Sequence, residues 1–359
     1  MWLAKVKRKV FRHYRLVRTF LFITLLFTFV FLLVGFLLPV INLTRIVLPV
    51  VLSQETSLRE VDGRTNILIL GAGGKNQNSA DLTDTMLLLS VKTKLTDIET
   101  VPAPVFISIP RDIYSEDLGD KINSAYHQGE SKKSGSGLVL AKSVISRVTG
   151  LPIHYSVLID FTAFEKAIDL LGGIDLTVER TFDDYLYPLV GKETDLCGLS
   201  IGLSEESYPC RFEHIHFEAG PTHLTGSLAL KFARSRHATG DEGNDFARAR
   251  RQQLVLKAVV SKVFSLGTLL QPQKLNEIYV AFKDHISTDI SDQEMNSFLK
   301  LALKYKNSST RSVVLDDTFF INPPPDSRGW ILLPRDGSFF EIHKFISEEI
   351  SKTNQNSSH

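Results

Sequence analysis

The chain has 359 residues, of which 43% are hydrophobic and 23% are charged, a balance typical of a globular protein with a large core. The formal net charge of +1 argues against a protein that coats a polyanion with its whole surface. The charge is unevenly distributed, because residues 1–18 contain seven lysines and arginines and no acidic residue.

A segment without charged residues, 19–41, follows this basic start. As a helix it is long enough to cross a hydrocarbon core of roughly 30 Å. Basic residues precede it and only Arg45 follows closely, which predicts a cytoplasmic N-terminus and an extracytoplasmic remainder. No small-residue cleavage site follows at a normal distance, so we expect an uncleaved signal anchor in the cytoplasmic membrane. The predicted order is a basic tail at 1–18, one transmembrane helix at 19–41 and a stalk at 42–60.

The remainder, 61–350, is predicted to be one α/β domain, followed by a polar tail at 351–359. Short apolar strands alternate with segments of helical apolar spacing. The predicted strands are 65–70, 86–91, 105–109, 153–159 and 174–178. The predicted helices are 138–148, 161–171 and 245–264. This alternation predicts a mixed central sheet flanked by helices on both sides.

The two cysteines, Cys197 and Cys210, lie in a stretch rich in Gly, Ser and Glu. A disulfide between them is expected in an oxidising compartment, and two free thiols are the alternative. A structural zinc site would also need His214 or His216. These two histidines would lie on one face of a strand, but no third ligand stands at a convincing spacing.

The segment 233–253 is the most informative part of the chain. Its charged residues are Arg234, Arg236, Asp241, Glu242, Asp245, Arg248, Arg250 and Arg251. Because the guanidinium fork binds phosphate oxygens in pairs, five arginines here predict a site for a multiply charged anion. Asp245, Arg248 and Arg251 are predicted to share one edge of a helix start, where anions are favoured. An intrahelical salt bridge is the alternative.

A further arginine, Arg111, follows the predicted strand 105–109. Ligands of open α/β sheets gather at the carboxyl ends of strands, although Arg111 could instead stabilise the fold through Asp112. Asp81 and Asp84 precede another strand and are expected near the same edge of the sheet. Carboxylates together with phosphate oxygens would suit Mg²⁺, and local turn formation by the aspartates is the alternative.

Together these motifs resemble those of the LytR-CpsA-Psr family of bacterial cell-envelope phosphotransferases. The matching segments are LTDTM at 82–86, SIPRD at 108–112, KINSAY at 121–126, AIDLLGGI at 167–174, LTG at 224–226, RSR at 234–236, DFAR at 245–248 and RQQ at 251–253. Their order and spacing agree with the family over about 65–264. The preceding signal anchor agrees as well.

The resemblance implies a helix–sheet–helix fold with a long apolar pocket for a polyprenyl chain. It implies transfer of a glycan phosphate, such as a teichoic-acid-like or capsule-like polymer, from a polyprenyl-pyrophosphate carrier to a peptidoglycan hydroxyl. By motif position, the implied pyrophosphate ligands are Arg111, Arg234, Arg236, Arg248, Arg251 and Gln252. The implied catalytic residues are Asp84, Arg111, Asp245 and Arg248.

The resemblance also implies a Mg²⁺ ion, or Mn²⁺, held by Asp84. Family members usually carry an acidic residue just after the first strand, where this chain has Ala72 and Gly73. Either Asp81 replaces this acidic residue, or the metal is held differently.

Two other functions remain open from the sequence. One is a membrane-anchored binding protein or regulator that holds an anionic glycan or lipid without turnover. The other is a hydrolase that releases the glycan from the pyrophosphate carrier to water. Nucleic acid is not an expected partner, because the arginine-rich segment 233–253 is predicted to lie outside the cytoplasm.

Overall fold

The computed structural model of the chain describes residues 57–73, 82–94, 102–263, 285–305, 308, 310–324 and 327–352, without the side chain of Asp245. The predicted tail 1–18, the predicted span 19–41, most of the predicted stalk and Asp81 lie outside these residues. Within these ranges no helix has both the length and the apolar character needed to cross a bilayer.

Fourteen strands are present in these ranges, most of them short. They are β1 (Arg64–Ala72), β2 (Thr83–Lys92), β3 (Val105–Ser108), β4 (Tyr114–Ser115), β5 (Asp120–Lys121), β6 (Tyr155–Asp160), β7 (Ile174–Val178), β8 (Phe182–Pro188), β9 (Phe212–Phe217), β10 (Gly220–Leu224), β11 (Ile286–Thr288), β12 (Arg311–Val314), β13 (Phe320–Ile321) and β14 (Leu333–Pro334). The helices are α1 (Ala125–Lys132), α2 (Gly137–Thr149), α3 (Phe161–Leu170), α4 (Gly226–Arg234), α5 (Asp245–Val263), α6 (Asp292–Tyr305) and α7 (Phe340–Ser351).

A six-stranded sheet in the order β11-β6-β1-β2-β3-β12 forms the centre of the domain. The pairs β1–β6 and β3–β12 are parallel, and the other three pairs are antiparallel. The prediction of a mixed central sheet is therefore confirmed. Short ribbons, β7–β10 and β8–β9, lie outside this sheet and support the helices that carry the arginine-rich segment.

Helices cover both faces of the sheet because side chains alternate along each strand. On one face, Leu68 and Leu88 belong to a buried cluster that includes residues of α2 and α7. On the other face, Ile67 and Tyr155 pack with Leu301 of α6. The same face is covered further along by α3, α4 and α5, which leave a gap between themselves and the strands.

The segment LTG at 224–226 fixes α4 against α3. The hydroxyl of Thr225 accepts from the Leu228 amide at 3.5 Å at the helix start, and the Gly226 amide donates to the Asp169 carboxylate at 2.7 Å. A Cβ atom on Gly226 would lie 2.1 Å from the Glu165 carbonyl oxygen, so the two helices can approach this closely only with glycine. This contact places the C-terminal end of α4, which carries Arg234.

Residues at the end of the predicted stalk at 42–60 contact the domain. The amide of Arg59 donates to the Tyr155 hydroxyl at 2.8 Å, and its guanidinium lies 3.8 Å from the centre of that ring. The side chain of Leu58 packs on the same cluster. Apolar and cation–π contacts with the sheet therefore hold residues that the sequence assigned to a linker.

Candidate functional site

Three connected cavities lie where α4 and α5 meet the sheet. The outer cleft, about 540 Å³, is lined by residues including Asp84, Arg111, Arg236, Arg248, Gln252 and Trp330. The middle chamber, about 230 Å³, is lined by residues including Asp84, Arg234, Arg236, Arg248 and Gln252. The apolar groove, about 210 Å³, is lined by residues including Ile69, Phe161, Arg234, Gln252, Leu256 and Val259.

The shared lining residues set the order of these cavities. Arg234 lines both the apolar groove and the middle chamber, and Gln252 lines all three cavities. Arg236 and Arg248 line both the middle chamber and the outer cleft. Cationic side chains therefore stand between an apolar compartment and a polar compartment.

The apolar groove runs between the sheet and three helices. Its walls are apolar side chains of β1, β2 and β6 on one side and of α3, α4 and α5 on the other. The guanidinium of Arg234 lies 4.3 Å from the centre of the Phe161 ring, which holds this charge at the groove's polar end. The Gln252 amide is held nearby by donating to the Ala233 carbonyl at 3.3 Å.

Arg111 reaches the outer cleft from the end of β3. Its guanidinium forms an ion pair with Asp84, which precedes the apolar part of β2, and only 12% of the Arg111 side chain is exposed. A second carboxylate, Asp112, lies 3.4 Å from the Arg111 Nε and 2.8 Å from the Lys121 ammonium. The structure therefore brings Arg111 and Asp84 together. Arg111 also contacts Asp112, which is the contact expected if Arg111 stabilises the fold.

Arg236 and His237 lie in a tight turn after α4 that is organised by Asp184. This fully buried carboxylate accepts from the Ser235 hydroxyl at 2.7 Å and from the Arg236 and His237 amides at 3.2 Å each. Its other oxygen accepts from the Leu186 amide at 2.9 Å. A buried carboxylate satisfied in this way is a rigid anchor for the turn.

Arg248 lies in the first turn of α5. The side chain of Asn244 precedes the helix and accepts from the Ala247 amide at 2.8 Å, which is the usual capping contact at a helix start. Arg248 is 8% exposed and lines both polar cavities. The backbone of Asp245 begins this helix, and its side chain is outside the description.

Arg251 does not lie with the arginines that line these cavities. Its guanidinium donates to the carbonyls of Phe232 at 3.0 Å, Ser235 at 2.7 Å and Glu242 at 2.9 Å, and to the Glu242 carboxylate at 2.6 Å. The residue is 2% exposed and lines none of the three connected cavities. Protein acceptors thus occupy the Arg251 fork, and the structure does not bring Arg251 together with Arg248 at these cavities, so the role of Arg251 as a pyrophosphate ligand stays a prediction.

Burial affects the protonation of two groups beside these cavities. Burial raises the pKa of Tyr187, which lines the middle chamber, and the nearby Arg234 charge acts in the opposite direction. Burial also raises the pKa of Glu165 on α3, and the charge of Asp169 acts in the same direction. Tyr187 therefore remains a neutral phenol at neutral pH.

A magnesium site at these cavities would depend mainly on Asp84. In the described ranges, Asp195, Cys197 and Cys210 are the one group of three or more His, Cys, Asp or Glu side chains close enough to hold an ion together. The two cysteines are bonded to each other, so this group does not suit a hard cation. Mg²⁺ usually binds through one or two carboxylates and substrate phosphates, which is compatible with Asp84 at the cleft.

Cys197 and Cys210 form a disulfide, with their Cα atoms 5.6 Å apart. On the nearby strand β9, His214 and His216 both lie on the exposed face, as the sequence indicated. Their ring nitrogens lie 2.7 and 2.8 Å from one Asp183 carboxylate oxygen. Asp183 comes from the neighbouring strand, which is why sequence spacing did not reveal this partner.

Three residues of the site are not marked by the motifs of the sequence. His237 lines both polar cavities, Asp184 fixes the turn that carries it, and Trp330 stands on the outer wall of the cleft. His237 could have been noted from its position next to Arg236. Asp184 and Trp330 reach the site only through long-range packing, and no local pattern marks either of them.

Comparison with solved structures identifies the fold. A crystal structure of Bacillus subtilis TagV matches 82% of this chain and 100% of its own, with 21% identity and a TM-score of 0.54. A structure of TagT bound to LIIa-WTA matches 84% of this chain and 97% of its own, with 20% identity and a TM-score of 0.52. These similarities support the same helix-flanked architecture.

Sequence comparison agrees with the fold. A polyisoprenyl-teichoic acid–peptidoglycan teichoic acid transferase TagU of Bacillus cereus is 26% identical over 246 residues, which are 67% of this chain and 64% of that protein. The chain thus spans slightly less than two thirds of that relative. The LytR_cpsA_psr family profile matches residues 49–318, about three quarters of the sequence. The chain therefore belongs to the LytR_cpsA_psr family.

Proposed function

We propose that this protein is a transferase that moves a glycan phosphate from a polyprenyl-pyrophosphate carrier to a hydroxyl of peptidoglycan. The glycan class we propose is a teichoic-acid-like polymer. Family membership and the name of the Bacillus cereus relative support this reaction. The order of the three cavities is the structural observation that carries the proposal.

A lipid-linked pyrophosphate fits that order. The polyprenyl chain would occupy the apolar groove, where burial of each CH₂ group contributes about 0.8 kcal/mol. The pyrophosphate would lie at Arg234, Arg236 and Arg248, and the glycan would extend into the outer cleft. A free nucleotide or a soluble sugar phosphate would leave the groove without an occupant.

The reaction needs charge neutralisation and alignment more than a protein nucleophile. The acceptor oxygen attacks the glycan-linked phosphorus, a P–O bond forms, and the bond from this phosphorus to the bridging oxygen breaks. Polyprenyl phosphate leaves with the bonding electrons. The arginines are placed to stabilise the charge that develops on the phosphoryl oxygens and on the leaving phosphate.

The proton of the acceptor hydroxyl must pass to a base or to water. Asp84 and His237 are titratable groups that line both the middle chamber and the outer cleft. Asp245 stays a candidate from its motif position. Asp84 would also hold Mg²⁺ against the phosphate oxygens, and this ion would supply further neutralisation of the phosphate charge.

We also propose that residues 19–41 anchor the protein in the cytoplasmic membrane and that the domain lies outside the cytoplasm. The support is the charge asymmetry around this segment together with a substrate carried by a membrane lipid. Protease added to intact spheroplasts should then remove the domain. A domain protected from the protease would contradict this orientation.

One incubation separates the transferase from the two alternatives. The folded full-length chain is given a polyprenyl-pyrophosphate glycan, with and without peptidoglycan, and the products are separated by size. A transferase yields peptidoglycan-linked glycan, a hydrolase yields free glycan phosphate in either case, and a binding protein or regulator leaves the substrate unchanged. Either of the last two results would overturn the proposed function.

A further inference from the structure

The outer cleft has a wall that the family match does not include. The LytR_cpsA_psr profile ends at residue 318, whereas Phe320, Asn322, Trp330 and Leu332 line the same cleft as the arginines. Trp330 is 57% exposed, although tryptophan is highly buried on average in folded proteins. A large aromatic side chain thus stands at the edge of a polar cleft with much of its surface facing solvent.

Hydrogen bonds hold the described residues of this wall in place. The strands β13 and β14 pair with each other, and the Leu332 amide donates to the Asp112 carbonyl at 2.8 Å. The Tyr114 amide donates to the Leu332 carbonyl at 2.9 Å. The Asn322 amide, with its nitrogen directed towards the acceptors, donates to the Ile331 carbonyl at 3.0 Å. The backbone around Trp330 is thus fixed to the residue that follows Arg111.

Arg335 stabilises the other part of the same wall. Its guanidinium donates to the carbonyls of Asp317 at 2.6 Å, Thr318 at 3.0 Å and Phe320 at 3.0 Å. Three carbonyls held by one planar fork give the turn before β13 a single arrangement. None of these contacts involves the indole, so a substitution of Trp330 leaves them in place.

We infer that Trp330 is the stacking platform of a saccharide subsite in the outer cleft. The face of a pyranose ring that carries axial C–H groups is apolar, and it packs on a flat aromatic surface. The polar groups of Asp317 and Asn322 line the same cleft and can hydrogen-bond to hydroxyl groups at the ring edge. This subsite deepens the proposed function, on which it depends, by adding a specificity-determining residue.

The ring could come from the donor glycan or from the peptidoglycan acceptor, because both must reach the phosphoryl group in the outer cleft. The chain has two tryptophans, Trp2 and Trp330. In the full-length Trp2→Phe protein, Trp330 is therefore the sole source of tryptophan fluorescence. Titration with soluble peptidoglycan fragments and, separately, with a lipid-free teichoic acid oligomer reports directly on stacking.

We expect a saturable fluorescence change with at least one saccharide. A change with peptidoglycan fragments alone assigns the subsite to the acceptor, and a change with the teichoic acid oligomer alone assigns it to the donor. A change with both supports a subsite that accepts either ring. No change with either saccharide overturns the inference.

Kinetics with the folded variants give a second readout. Trp330→Ala should raise the KM for the substrate that stacks by about 3- to 10-fold, with kcat little changed, and Trp330→Phe should recover most of the loss. Phe340→Ala is the matched control, because Phe340 is 67% exposed on α7 and does not line the cleft. Equal KM values for Trp330→Ala and the unmodified chain overturn the inference.

The two proposals fail in different ways. If the protein transfers no glycan but shows the fluorescence change, the saccharide subsite is supported and the transferase function is contradicted. If the protein transfers glycan normally and the Trp330 fluorescence does not change, the transferase function is supported and the subsite is contradicted.

Discussion

The guanidinium of Arg251 donates a 2.7 Å hydrogen bond to the carbonyl of Ser235, the residue immediately before Arg236. The same Ser235 donates its hydroxyl to the buried Asp184 carboxylate at 2.7 Å. A buried arginine of α5 thus holds the turn that presents an exposed arginine to the cleft. Arg251 thus has a structural role and Arg236 faces the cleft, although both lie in the segment 233–253.

Arg251→Ala should destabilise the fold. The change leaves Glu242 without its Arg251 partner and removes donors from two buried carbonyls and one partly buried carbonyl, so we expect a loss of roughly 3 kcal/mol in the free energy of unfolding. Urea unfolding followed by circular dichroism measures this loss. Arg250→Ala, at an exposed neighbour, should change stability by at most about 0.5 kcal/mol. Equal midpoints for the two variants would contradict the structural role of Arg251.

Arg248→Ala should reduce transfer. A charge-assisted contact to phosphate contributes roughly 1.5–3 kcal/mol, which corresponds to a ~10- to 100-fold loss in kcat/KM. Arg111→Ala should have a similar effect. Arg248→Lys should recover only part of the activity, because lysine keeps the charge but loses the bidentate fork. Transfer assays on each folded variant test this, and Arg250→Ala serves again as the control. A similar loss with Arg250→Ala would indicate diffuse positive charge instead of a defined site.

Asp84→Asn should weaken the response to Mg²⁺ together with activity. The amide keeps the shape of the carboxylate but loses the charge that would hold the ion and pair with Arg111. The measurements are the Mg²⁺ concentration that gives half-maximal transfer and the binding of Mn²⁺ by electron paramagnetic resonance. Asp81→Ala should show the same trend if Asp81 replaces the usual family acid. Unchanged metal binding in both variants would remove these aspartates from the metal site.

Leu256→Trp should block the apolar groove. A bulky ring in this half-buried position would displace part of the lipid chain, and the loss of two buried CH₂ groups alone corresponds to about 1.6 kcal/mol, or ~10-fold in KM. The effect should be larger for a long polyprenyl carrier than for a short water-soluble analogue. Val260→Trp is the control, since Val260 is 38% exposed and does not line the groove. Equal KM changes in the two variants would argue against lipid in this groove.

Reduction of the Cys197–Cys210 disulfide should lower stability. In the chain-entropy model, closing a loop of this length contributes about 3 kcal/mol. Unfolding with and without a reducing agent measures the difference, and thiol labelling of the unreduced, denatured protein should find no free cysteine. Two labelled thiols would contradict the disulfide.

The sequence by itself was enough to predict the mixed sheet and the principal helices. Apolar alternation and the positions of glycine are local properties, so β1, β2 and α5 are predicted close to their observed bounds. The ordered motifs were sufficient to predict the family as well. The charge pattern at 1–41 predicts an anchored topology, which stays a prediction because it falls outside the described residues.

Only the tertiary structure separated the arginines by role. Arg248 and Arg251 are three positions apart and chemically identical, but Arg251 meets carbonyls of α4 and the turn after it, whereas Arg248 meets the cleft. A sequence pattern predicts which side of its own helix a side chain lies on. It does not predict which hydrogen-bond acceptors another helix or turn places next to that side chain. Trp330 joins the cleft for the same reason, because its position beside the arginines depends on backbone pairing of Leu332 with residues more than two hundred positions earlier.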